Sequence, residues 1–218
     1  MLPLPAASET LRRLPRLVLG LVLFGLGIAL MVRSDLGLSP WDVLHQGVSK
    51  RTGLAIGTVG ILTGVGVLLL WIPLRERVGI GTAANAVVIG LVVNAALEVL
   101  EVPEALWQRA GFLVVGIFLF GPGSGLYIGA GLGPGPRDGL MTGLARRGWS
   151  LRVVRTGIEV SVLLIGALLG GTVGVGTLAF AVTVGPNVHL FLSRMTLPAP
   201  RSRRSGPRDD VPGHLEAL

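Results

Sequence analysis

The sequence predicts an all-α polytopic membrane protein, with about six transmembrane helices in two inverted three-helix repeats, each repeat carrying a short interfacial or re-entrant helix. Three observations predict it. Of 218 residues, 50% are hydrophobic and only 14% are charged, well under the quarter or so that coats a soluble domain. Apolar stretches of roughly 16 to 21 residues, the length that crosses a bilayer, recur along the chain. The chain also repeats itself at an offset of 96 and then 95 residues.

The first span, Leu17 to Val32, covers about 24 Å against a hydrocarbon core of about 30 Å, and Arg16 and Arg33 at its ends can snorkel to close the gap. It follows Arg12, Arg13 and Arg16 as a secretory signal does, but no small-residue cleavage site precedes Arg33, so it is expected to be retained. A short helix follows: Ser39-Pro40-Trp41-Asp42 opens a stretch that ends at Lys50-Arg51, with Gly53 as its stop. Serine suits the cap, proline the first helical position, and aspartate the positive end of the dipole. At about 18 Å it is too short to span. Leu54 to Ile72 and Ile80 to Leu100 are the second and third spans.

The second copy begins with Ala110 to Gly129, where Pro122 predicts a kink. Its short helix opens on Gly135-Pro136-Arg137-Asp138 and ends at Arg146-Arg147, with Gly148 as the stop. The glycine-rich approach, Gly129 to Gly135, contains Pro134 and is not expected to be regular helix; such backbone survives at membrane depth only against protein or a watery cavity. Val153 to Leu169 and Val173 to Leu192 complete six spans. The resulting division is a cytoplasmic tail at 1–16, a first repeat at 17–100, an outer loop at 101–109, a second repeat at 110–197 and a disordered cytoplasmic tail at 198–218.

Residues 17 to 47 match 113 to 143 at 14 of 31 positions, and 78 to 90 match 173 to 185 at 8 of 13. Three spans per copy is an odd number, so the second copy enters the bilayer upside down, an arrangement common in secondary transporters with a site between the halves. With the N-terminus inside, 15 basic residues fall on cytoplasmic segments and 4 outside, placing both termini in the cytoplasm of a bacterial inner membrane.

The chain has no cysteine, and His45, His189 and His214 are far apart in sequence, so disulfides, thiolate chemistry and a histidine metal cluster are not expected. Its net charge of +7 sits at span ends and in the tail rather than on one polar face, which speaks against nucleic acid. No nucleophile–base pair stands at a useful spacing, so neither an enzyme nor a cofactor is expected. The expected partners are the lipid bilayer and a small solute or ion, and an oligomer is compatible with the composition.

Candidate substrate-binding residues are Asp42, Gly133, Gly135, Arg137, Asp138, Arg155, Glu159 and Asn187. Asp42 and Asp138 are repeat equivalents that read either as caps or as carriers of a proton or cation. Arg155 and Glu159, four apart, read either as a self-neutralising pair or as a substrate contact. Asn85, Asn94, Asn187 and His189 lie in spans three and six and read as helix glue or as ligands. Gly60 with Gly64, and Gly121 with Gly125 and Gly129, have the spacing that lets helices approach closely.

The run Leu132-Gly-Pro-Gly-Pro-Arg-Asp-Gly-Leu-Met, then Val154-Arg-Thr-Gly-Ile-Glu and Gly170-Gly-Thr-Val-Gly-Val-Gly-Thr, resembles the YczE/YyaS/YitT group of bacterial integral membrane proteins over roughly residues 15 to 195. The resemblance implies a bacterial inner-membrane protein and supplies no mechanism. The first copy departs from the pattern, with Asp35 and Trp41 where the second has Gly131 and Arg137, so a site between the copies is asymmetric. The reading is a transporter or permease of a small solute; the alternative is a non-transporting regulatory or scaffolding protein acting through partner helices.

Overall fold

The computed structural model describes residues 7–76 and 78–197 and is all-helical among them. The order is α1 (Ala7–Ser34), α2 (Pro40–Thr52), α3 (Ile56–Leu74), α4 (Ile80–Val99), then α5 (Leu106–Gly129), α6 (Pro136–Ala145), α7 (Leu151–Leu168) and α8 (Val175–Met195). Long, short, long, long therefore occurs twice. Five helices, α1, α3, α4, α5 and α8, are long and apolar enough to cross a membrane. Helix α7 has 18 residues but carries Arg152, Arg155 and Glu159.

Both short helices begin where the sequence places them. Ser39 is in extended conformation, and its hydroxyl accepts from the Asp42 amide. Gly53 stops α2 in the left-handed conformation at φ 75°, its N–H donating to the Ser49 carbonyl. Before each short helix the chain turns through two left-handed residues at matching positions, Asp35 (φ 51°) and Gly37 (φ 122°), then Gly131 (φ 66°) and Gly133 (φ 127°). The turn is built into the repeat.

Two helix starts differ most from expectation. Helix α1 starts at Ala7, ten residues before the expected span, so most of the expected tail is helix. The reason lies in the arginines read as tail charges. Arg13 pairs with Glu9 at 2.7 Å and donates to the Ala130 carbonyl at 2.9 Å, and Arg16 donates to the Met195 carbonyl. Their charges meet carbonyls at the C-terminal ends of other helices, where cations are favoured. Helix α5 likewise starts four residues early and runs through Pro122 without ending. The expected tail at 198–218 lies outside the described residues.

Packing between the two four-helix units is reciprocal. Helix α1 crosses α5 at glycines: a Cβ at Gly20 would press on the Gly123 carbonyl and one at Gly116 on the Gly27 carbonyl, and these pairs exchange under the 96-residue offset. Gly81 N–H donates to Leu132 O at 2.9 Å, and its counterpart Gly176 N–H to Leu36 O at 2.8 Å. Arg13 on Ala130 O is matched by Arg109 on Ser34 O at 2.7 Å. Each short helix packs on the other unit, α2 on α7 and α6 on α3. The basic ends of α2 reach the end of α7, Lys50 to Gly170 O and Arg51 to Leu169 O, while those of α6 reach the end of α3, Arg146 to Glu76 and Arg147 to Pro73 O.

Close contact within units also follows the glycines. Gly121, Gly125 and Gly129 press on Asn187, Phe191 and Met195 of α8, as their spacing predicts. Phe24, Phe120 and Phe180 follow one another in tilted and edge-to-face contacts, ring centroids 4.5 and 4.9 Å apart, tying α1, α5 and α8.

Candidate functional site

The N-terminal ends of α2 and α6 meet at a cavity of about 670 Å³ lined by both units, within the range of small-molecule sites. The polar residues cluster at these two helix starts. On α2, Asp42 accepts from the Ser39 hydroxyl through Oδ2, and its Oδ1 lies 3.4 Å from His45 Nδ1. On α6, Asp138 Oδ2 accepts from the Tyr127 hydroxyl at 3.1 Å. The Arg137 guanidinium lies over the Trp41 ring, 4.7 Å from its centroid, a favourable cation–π arrangement. This contact joins the two units at the positions where the repeats differ.

Several groups here have unspent hydrogen-bonding capacity. Trp41 Nε1, Asp42 Oδ1 and His45 Nε2 are buried with no hydrogen-bond partner among the described residues. Among them, too, Arg137 forms no salt bridge. Asp42 and Asp138 accept from the Ser39 and Tyr127 hydroxyls, and among the described residues no carboxylate is in direct contact with the guanidinium. Buried polar groups left in this state are costly unless something completes them.

Six of the eight residues singled out from sequence line this cavity: Asp42, Gly135, Arg137, Asp138, Arg155 and Glu159. Arg155 and Glu159 pair with each other at 3.0 Å on α7. The other two lie elsewhere. Gly133 packs on the start of α4, where a Cβ would press on Thr82 Oγ1 and Gly79. Asn187 Nδ2 donates to Ile117 O at 2.8 Å and Phe118 O at 3.1 Å. Pro122 has no N–H for the Phe118 carbonyl four residues back, so Asn187 supplies the missing donor.

Sequence reasoning missed Trp41, His45 and Tyr127 as lining residues, while Asn85 and His189, read as helix glue or ligands, both line the cavity. A signal existed for Trp41 and His45. His45 stands four after Trp41 and three after Asp42 on α2, so it neighbours both on the helix surface. Tyr127 carried no such mark, because its equivalent is Met31.

The family described as "Family of unknown function (DUF6198)" matches residues 11–193. The chain belongs to this family. Relatives agree: an uncharacterized protein of Haemophilus influenzae is 44% identical over 178 residues, covering 81% of this chain and 82% of its own. The Bacillus subtilis "Uncharacterized membrane protein YczE" is 34% identical over 187 residues, covering 82% of each. YyaS of the same organism, an "Uncharacterized protein", is 29% identical over 182 residues, covering 80% of this chain and 89% of its own. No solved structure matches. The DUF6198 match takes in every residue that lines the cavity, from Phe24 to Leu192.

Proposed function

We propose that this DUF6198 protein is an inner-membrane carrier that binds a small solute between its two units and exposes it to either side of the bilayer in turn. The observation that carries this reading is the pair of broken-helix starts, α2 and α6, bringing Asp42, Arg137 and Asp138 into one large cavity. Interrupted helices whose N-termini converge near the midplane are the usual site architecture of secondary transporters. Charged groups at such depth are expensive, and a binding role accounts for them.

In this reading α7 also spans, as the fifth of six, and its charges sit on the cavity side and at its basic end. The two units are then inserted with opposite orientation, both termini in the cytoplasm. Support comes from the reciprocal contacts, which exchange under the repeat offset. Exchanging the conformations of two equivalent units opens one cavity to opposite sides.

Single cysteines test it, because the native chain has none. Leu54→Cys and Trp149→Cys occupy exposed, equivalent loops and are expected to react with an impermeant maleimide from opposite faces of oriented vesicles. Ser124→Cys, in the cavity, is expected to react from both. Same-side labelling of the loops, or labelling of Ser124→Cys from one side only, overturns the reading.

A further inference from the structure

We infer that the seam between α7 and α8 is a lateral doorway through which a zwitterionic amphiphile enters the cavity from the bilayer, its head reaching Arg137 and its tail lying along α8. The inference rests on the reading of the cavity as a binding site.

The seam is open. On the matching side, α3 and α4 are in backbone contact at Gly57 and Gly90, and Asn94 bonds to both the Gly57 N–H and the Thr58 hydroxyl. Helices α7 and α8 are not packed in this way. Gly185, the counterpart of Gly90, has nothing within 4 Å of its Cβ site, and neither has Gly157 on α7. Arg155, Ala181, Gly185 and His189 line the cavity and are also exposed. Around them the outer faces of both helices are aliphatic, with Leu164, Ile165, Leu178 and Val182 all exposed, so the opening gives onto hydrocarbon rather than water.

The cavity wall inside this opening suits a long apolar chain. Phe180, Val184, Val188 and Leu192 all line it. Their spacing of four puts them in one stripe of α8, about 18 Å long. The polar cluster at the other wall sets the head. Arg137 stands against Asp42 and Asp138, while Arg155 and Glu159 cancel, which leaves one excess negative charge. An anionic head would add to that excess, and a cationic head would offset it but leave the Arg137 guanidinium and Trp41 Nε1 without an acceptor. A head with both charges places its oxyanion on Arg137 and Trp41 Nε1, and its cation beside Asp42 Oδ1 and Asp138.

The test uses tryptophan emission in vesicles of phosphatidylcholine with brominated acyl chains, which quench on contact. Trp107→Phe and Trp149→Phe remove the two exposed indoles, leaving Trp41 and Trp71, which are 7% and 1% exposed. Trp71 does not line the cavity and serves as the unquenched reference. A chain entering the doorway is expected to quench the Trp41 share of the emission. Adding Gly157→Leu and Gly185→Leu, which extend into open space, is expected to restore it. With brominated lysophosphatidylcholine as titrant, Arg137→Gln is expected to raise the half-quenching concentration about tenfold, the loss of a charge-assisted hydrogen bond.

Emission indifferent to bromination overturns the doorway. So does a disulfide between Ala181→Cys residues of two copies, since a second copy would then cover the seam. Equal quenching by single-chain brominated cationic, anionic and zwitterionic amphiphiles overturns the head assignment. Two-sided labelling of Ser124→Cys without quenching keeps the carrier and removes the doorway; quenching with one-sided labelling does the reverse.

Discussion

The pairs α3–α4 and α7–α8 hold the same place in their units, yet one is sealed and the other parted. Counting from the left-handed caps Gly53 and Gly148, the 95-residue offset aligns Gly57 with Arg152 and Asn94 with His189. In the first unit a bare glycine lets the α4 backbone approach, and an asparagine bridges the two helices. In the second, an arginine takes that glycine's place in the sequence, and the bridging amide is gone. Gly90 and Gly185 are both glycine, so glycine alone does not close a seam. Its neighbours across the gap decide.

The seats of the short helices differ in the same spirit. Helix α6 sits on α3 through Trp71, whose Nε1 donates to Pro136 O at 3.0 Å and whose ring covers Gly139. Helix α2 sits on α7 the other way round, with Val43 against Gly166. Large and small residues have exchanged places across the two contacts. Trp71→Ala is therefore expected to give the largest loss, about 4 kcal/mol, read as a shift in the denaturant midpoint in detergent micelles. Gly90→Leu comes next, at about 3 kcal/mol from overpacking, whereas Gly185→Leu is expected to stay within about 0.5 kcal/mol. Equal losses for the two glycines would erase the distinction between the seams.

Smaller effects sharpen it. Asn94→Ala removes two interhelical hydrogen bonds at about 0.6 kcal/mol each, so about 1 kcal/mol in total, and is expected to let brominated chains quench Trp41 through the first unit as well. Arg152→Gly with His189→Asn is expected to do the opposite and reduce quenching through the second. Least of all, Arg155→Gln should cost no more than about 0.5 kcal/mol, because the ion pair is largely exposed. A double-mutant cycle with Glu159→Gln measures it.

Much of the fold is legible in the sequence because hydrocarbon leaves few options for the backbone. Helix length, the two short helices and their caps follow from apolar runs interrupted by Ser39-Pro40 and Gly135-Pro136. The start of α1 was not legible. Arg13 and Arg16 read as part of a tail because their carbonyl acceptors, Ala130 and Met195, lie more than a hundred residues away. The site was legible where polar residues recur at equivalent positions, as Asp42 and Asp138 do. It was misleading at Asn187, where a polar side chain in a span serves a carbonyl freed by Pro122. That relation needs the α5–α8 register, which one sequence does not contain. Tyr127 and Trp41 were hidden for the opposite reason, since an aromatic residue in an apolar run reads as packing.

Arg13 and Arg109 have a consequence for the order of events at the ribosome. Each covers a carbonyl at the far end of the other unit's first helix. Ser34 is synthesised 75 residues ahead of Arg109, a delay of about 4 to 15 s at ~5–20 residues per second. For that interval the nascent N-terminal half has an uncapped helix end. Maturation waits for α8 as well, because Arg16 finds its acceptor, Met195, only at the end of that helix.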